Sequence, residues 1–232
     1  PQGGRQARVT NGAALKPAVL DGGSKPLENV EIALDTDKGE LGKNATVASC
    51  DIKNFRGTID TVWGINKTVK DEYNQMTLDF KLYKLVVRAY DDAVASRSLS
   101  KSAGSKMIAR GETLVLPLAK TDKPIAPTEG GVMSSSERPW TRTTVEQLAD
   151  NKKAHSVSIP LIMDRGAAKV ALVESDVANY PSLRVMAGGK GLETKISKYP
   201  KKLEVKNHMR IATEAEDFIA KTVPARDFPW RA

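Results

Sequence analysis

The residues able to do chemistry in this chain are mostly carboxylates. Among 232 residues there are 28 aspartates and glutamates, two histidines and one cysteine. Asp91-Asp92 is a conspicuous acidic step. Neighbouring strand residues point to opposite faces, and an aspartate in a tight turn bonds its own backbone, so the pair reads as a turn between two strands. Glu174 is placed differently. It follows a strand expected over 169–173 and precedes Ser175-Asp176 and a turn at 178–181, so its carboxylate should project from a sheet end into whatever faces that end. A solvated strand-end acid is the plainer alternative. No two acids stand out as an acid and base pair.

The other candidates are weaker. Cys50 has no internal disulfide partner, and His155 and His208 are too far apart in sequence to suggest a zinc-type cluster. A histidine paired with a glutamate would imitate the acid and base of an epimerase, but neither histidine stands in a patterned motif. Trp63, Trp140 and Trp230 offer aromatic faces. Trp63 and Trp230 read as core or domain-interface packing, whereas Trp140 lies beside a flexible loop. The glycosylation-like triplets at Asn44 and Asn66 are short enough to arise by chance. No EF-hand spacing is present.

Composition narrows the class. A hydrophobic fraction of 40% supports a core, as one large domain or two small ones. No apolar run is long enough to span a membrane, and the first residues lack the apolar stretch of a signal peptide. The formal charge of +8 comes from lysines scattered among acids, and aromatics are only 5% of residues. A solvated basic surface is therefore expected rather than a nucleic-acid site.

The elements that must position these residues are strands. Leu78, Phe80 and Leu82, then Leu85, Val87 and Ala89, alternate with polar or outward positions at period two. Further short strands are expected at 31–34, 113–118, 157–163, 169–173, 183–186 and 192–196, separated by turns rich in glycine, asparagine and aspartate. Helices are expected only at 144–150, capped by Thr143 or Thr144, and at 214–221. Segments 98–105 and 121–138 read as long surface loops within one domain of residues 1–232. The fold class is all-β, a sandwich or barrel rather than a βαβ sheet.

Three blocks extend this reading: Trp63-Gly64 with Tyr73-Asn74 and the hairpin VRAYDDAVASR (87–97), the run VESDVANYP (173–181), and the closing FPWRA (228–232). In this order they resemble the amino-terminal domain of family 97 of the glycoside hydrolases. The run after Asp91-Asp92 departs from that pattern: Ala93-Val94-Ala95-Ser96 stands where glycine and aromatic residues are usual, filling less core volume.

The resemblance implies a large antiparallel β-supersandwich similar to the galactose mutarotase fold. It implies the non-catalytic amino-terminal domain of a bacterial, exo-acting alpha-glucosidase or alpha-galactosidase, in the periplasm or at the cell envelope. Its partners would be the catalytic (β/α)8 barrel of the same polypeptide and an alpha-linked oligosaccharide. Such a barrel needs about 250 residues of its own, so catalytic carboxylates are not expected here and the chain alone should be inactive. A glutamate matching Glu174 would be a calcium ligand, with Asp176 as a possible neighbour and the remaining ligands from the barrel and water. A free-standing carbohydrate-binding module and a mutarotase-like aldose epimerase using His155 or His208 are the rival readings.

Overall fold

The computed structural model describes residues 6–21, 24–101, 106–129, 137–150, 156–166, 168–178, 180–222 and 228–232. Every ladder between these strands is antiparallel. An eleven-stranded sheet is built around Met107–Leu116, which pairs with Glu31–Thr36, Gly191–Thr194 and Ala220–Thr222. A six-stranded sheet runs in the order Glu174–Ser175, Trp230–Arg231, Val94–Ser100, Tyr83–Ala89, Thr68–Asp79, Ser49–Asp60. A four-stranded sheet runs Thr141–Arg142, Lys123–Ala126, Leu161–Asp164, Lys169–Leu172. Pro200–Lys206 and Met209–Ala215 form a separate hairpin.

The large sheet backs both smaller ones. Its Leu15, Leu34 and Ala109 pack on Leu78, Leu85 and Val87 of the six-stranded sheet in one core. Its Leu114, Leu116, Val185 and Leu192 pack on Leu161, Met163 and Leu172 of the four-stranded sheet in a second. Ile32 and Ile196 border both cores. This is the stacked β architecture expected from the strand periodicity, and the segment at 78–89 buries Leu78, Phe80, Leu85 and Val87 as the alternation predicts, while Val86, expected to face outward, is buried as well.

Several expectations change in detail. The segment 157–163 is two strands, Ser156–Ser158 in the large sheet and Leu161–Asp164 in the four-stranded one. Pro160 lacks the N–H that a continuous ladder needs, so the chain changes sheets there. The expected helix at 214–221 is not formed. Phe218, Ile219 and Ala220 are all buried in succession, which one helix stripe cannot do, and the Ile219 amide donates to the Ala109 carbonyl at 2.8 Å. The helix Val145–Asp150 does form. Thr144 Oγ1 accepts from the Gln147 amide while Gln147 Oε1 accepts from the Thr144 amide, a reciprocal cap.

The serine-rich segment from residue 98 begins as strand: Ser98 pairs with Leu85 and Ser100 with Tyr83, and residues 102–105 lie outside the described residues. Within 121–138, Lys123–Ala126 and Thr128–Glu129 are strands, while 130–136 lie outside the described residues. Pairing with neighbouring strands overrides local composition in both places.

Tyr83 ties the hairpin to the core. Its ring stacks on Phe80 with centroids 4.5 Å apart at 7°, and burial pushes its phenol up to about 12. In the unfolded chain a tyrosine ionises near pH 10, so between about pH 10 and 12 the folded state retains a proton that the unfolded state has lost. Stability should therefore fall as pH rises through that window, and Tyr83→Phe should flatten the fall. Alkaline unfolding followed by circular dichroism checks this; superimposable curves for the two proteins would refute it.

Candidate functional site

Glu174 does not extend the strand before it. Lys169–Leu172 stays in the four-stranded sheet, Val173 exchanges backbone hydrogen bonds with Ala232 at 2.7 and 3.0 Å, and Glu174–Ser175 opens a short strand in the six-stranded sheet. There Glu174 stands opposite Arg231 and Ser175 opposite Trp230. The side chain does not project freely from a sheet end as the sequence suggested. Its side-chain exposure is only 9%, and its carboxylate is held by Arg231, Ser182 and Leu183.

Both oxygens are engaged there. Arg231 Nη1 donates to Oε2 at 2.7 Å, the Leu183 amide donates to Oε2 at 2.9 Å, and the Ser182 hydroxyl donates to Oε1. The same guanidinium reaches across to the large sheet. Arg231 Nε and Nη2 donate to the two oxygens of Glu112 at 2.8 and 2.9 Å, a bidentate pair. Tyr180 adds a hydroxyl donor to Glu112 at 3.1 Å, and its ring meets Phe228 edge-on.

Burial works against the charge of Arg231, yet attraction to Glu112, their hydrogen bond and the Glu174 charge outweigh it and raise the guanidinium above its ordinary range. One buried cation thus holds two carboxylates from two sheets. The cavity beside it, lined in part by Glu112, Arg97 and Phe228, measures about 50 Å³. That is room for water, whereas ligand pockets run to several hundred cubic ångströms. Glu112 and Glu174 both bind this fixed cation, and the cavity that Glu112 lines is too small for a sugar.

As a calcium ligand, Glu174 is the right kind of donor in too small a set. It is a hard oxygen donor oriented by a backbone amide and a cation, as ligating carboxylates commonly are. Ser182 is the partner that yields most cheaply, since a hydroxyl can turn and offer its own lone pairs. But no group of three or more histidine, cysteine or acidic residues converges among the described residues, and calcium takes about six to eight oxygens. Asp176, with φ of 61°, turns its carboxylate toward Arg97 at 3.7 Å.

The remaining candidates scatter. Asp91 and Asp92 are exposed in the turn closed by Tyr90 N–H to the Ala93 carbonyl at 2.8 Å. His208 sits with Asn207 in the left-handed turn of the separate hairpin, and His155 lies outside the described residues. Trp63 is not core: it is 87% exposed at the tip of the hairpin formed by Ser49–Asp60 and Thr68–Asp79. Trp230 is half-buried between the guanidinium groups of Arg88 and Arg97, 4.6 and 4.5 Å from its ring centroid. Trp140 is largely exposed.

Sequence reasoning missed Glu112 and Arg231. Arg231 stood inside the closing FPWRA block, but nothing local marked Glu112 as its partner, because the pair is joined across 119 positions.

Arg231→Met should cost about 3–5 kcal/mol, because it leaves two largely buried carboxylates facing each other without a cation. Urea unfolding at neutral pH measures this. A loss under about 1 kcal/mol would mean that water already screens the cluster.

The chain is similar to known proteins in sequence and in shape. The family model described as Glycosyl-hydrolase 97 N-terminal matches residues 1–232. A retaining alpha-galactosidase of Bacteroides thetaiotaomicron is 27% identical over 249 residues, covering 100% of this chain and 37% of the relative. In structure, a glycoside hydrolase family 97 enzyme from a Pseudoalteromonas species, solved with acarbose, aligns at a TM-score of 0.79 and 14% identity, over 100% of this chain and 34% of that one. A beta-arabinopyranosidase aligns at 0.74 and 15%, over 98% of this chain and 37% of that one. The structural likenesses are of fold, and the chain spans about a third of the length of each relative. With its full length matched by the model, the chain belongs to the Glycosyl-hydrolase 97 N-terminal family.

Proposed function

We propose that this chain is the non-catalytic amino-terminal domain, a single unit over residues 1–232, of a bacterial exo-acting alpha-glycosidase whose catalytic barrel lies elsewhere in the same polypeptide. The observation that carries the reading is that family membership extends over the whole chain while the matched relatives are about three times as long. The pairing of both Glu112 and Glu174 with Arg231 agrees with a structural use of these two acids. The alpha-galactosidase relative suggests an alpha-linked sugar as substrate of the whole enzyme.

In this reading the domain walls one side of the sugar pocket and presents Glu174 as one ligand of a calcium ion shared with the barrel. Bound there, calcium would supply electrostatic stabilisation of charge developing on sugar oxygens. The residues of this chain act before that. Arg231 and the Leu183 amide fix the carboxylate of Glu174, Glu112 fixes Arg231, and Tyr180 braces Glu112. A ligand held in this way loses little entropy on engaging its ion.

The decisive assay compares this chain with the longer polypeptide on chromogenic alpha-glucosides and alpha-galactosides, with and without calcium. The folded 232-residue chain should be inactive and the longer polypeptide active. Turnover by the short chain would overturn the division of labour.

In the longer polypeptide, Glu174→Gln keeps an oxygen for Arg231 but removes the charge. It should weaken calcium activation about tenfold or more, the range expected when a metal site is disturbed. Unchanged calcium dependence would remove Glu174 from the site.

A further inference from the structure

The six-stranded sheet has two faces of different character. Leu78, Leu85 and Val87 point into the core. The opposite face follows from the register: Phe55 pairs with Tyr73, Gly57 with Asp71 and Ile59 with Val69, all an odd number of residues from the core positions of their strands. Tyr73 stacks on Phe55 at 5.2 Å and approaches Tyr90 at the same distance. The Arg88 guanidinium lies between Tyr73 and Trp230, 4.1 and 4.6 Å from their centroids, and Arg97 lies on Trp230. An aromatic and arginine-capped stripe therefore runs across the sheet from Phe55 to Trp230, beside the short strand that carries Glu174, and Gly57 and Asp71 separate it from Ile59 and Val69 on the same face.

At the hairpin end the face reaches Val62, Trp63 and Ile65, all well exposed, and Phe55, Ile59 and Val69 are themselves exposed. Six strands at about 4.8 Å spacing make the sheet roughly 25 Å wide, and its two longest strands, twelve residues each at about 3.4 Å, run for about 40 Å at the exposed hairpin. Tryptophan, tyrosine and arginine are the residues that concentrate binding energy in interfaces, and exposed apolar area of this kind marks a contact surface.

We infer that this outer face, from the Val62-Trp63-Gly64-Ile65 tip to Trp230, is the surface on which the rest of the polypeptide docks. The inference rests on the proposed function and names the interface that reading requires. The place of the last strand favours this occupant over a second copy. Trp230–Arg231 is a strand of this same sheet, with Trp230 on this face, so chain that follows this domain, as in the longer relatives, departs from the edge of the stripe. Chain tethered at that edge meets the face at a high effective concentration, which a separate copy does not.

Hydrogen–deuterium exchange on the longer polypeptide tests this at the tip, residues 62–66, where Val62, Trp63 and Ile65 are open to solvent in this structure. These amides should exchange about tenfold or more slowly than unprotected ones, at a rate independent of protein concentration. The double variant Ile59→Asp with Trp63→Ser should restore fast exchange there while leaving exchange in the core strand Tyr83–Ala89 unchanged. Unprotected tip amides in the parent would overturn the inference, and protection that grows with concentration would assign the face to a second copy and overturn it too. The function is tested separately: an active polypeptide with an unprotected tip refutes only the docking face, and a protected tip in an inactive polypeptide refutes only the glycosidase reading.

Discussion

The guanidinium of Arg231 is the point on which the two sides of the first core depend. Taking a cation and two carboxylates out of water is unfavourable by several kcal/mol per ion, and only close, saturated hydrogen bonding offsets it. Here the geometry is met in full: a bidentate contact to Glu112 in the large sheet, and a single contact to Glu174 in the small one. Hydrophobic packing between the sheets is non-directional and tolerates sliding, whereas this cluster accepts one alignment. It therefore sets how Met107–Leu116 stands relative to Trp230–Arg231.

A second cluster does the same for the other core. Asp122 is buried and pairs with Arg165 at 3.0 Å, and the same arginine donates to the carbonyls of Pro26 and Pro117 at 2.6 and 2.8 Å. Each core thus has an arginine that joins segments distant in sequence. The difference lies in what surrounds them. The Arg165 cluster ends on backbone carbonyls, while the Arg231 cluster ends on Glu174, at the margin of the sheet that bears the aromatic stripe.

Most of the fold was legible because it rests on a local signal. Alternation at Leu78, Phe80, Leu85 and Val87 names the buried face, and Thr143 or Thr144 marks a helix start, with the contact to Gln147 that selects Thr144 found only in the structure. What failed was decided at long range. The acidic and alanine-containing stretch around Glu214 to Lys221 looks helical alone, but pairing with Ala109 makes it extended. The strand ending at Leu172 was followed correctly, yet nothing in Val173-Glu174 shows that the chain leaves one sheet for another there. The site was legible only in part for the same reason. Glu174 and Arg231 lay in recognisable blocks, whereas their joining through Glu112 is a property of packed sheets. Trp63 was misplaced in part because a strand pattern does not reveal that a hairpin extends beyond the core it starts from.

The strand Ser49–Asp60 closes the six-stranded order, so one side of its twelve residues offers backbone donors and acceptors to no neighbour among the described residues. Such a rim is a template onto which another extended chain can be added, and Ile52, Phe55 and Ile59 make it adhesive. Asp51, Lys53, Arg56 and Asp60 interrupt it with charges of both signs, the usual guard against runaway sheet growth. Produced as these 232 residues, the domain carries that guard beside a face on which Phe55, Ile59 and Trp63 are exposed. Those four charged side chains are then what stands between an open rim and its extension by a second strand.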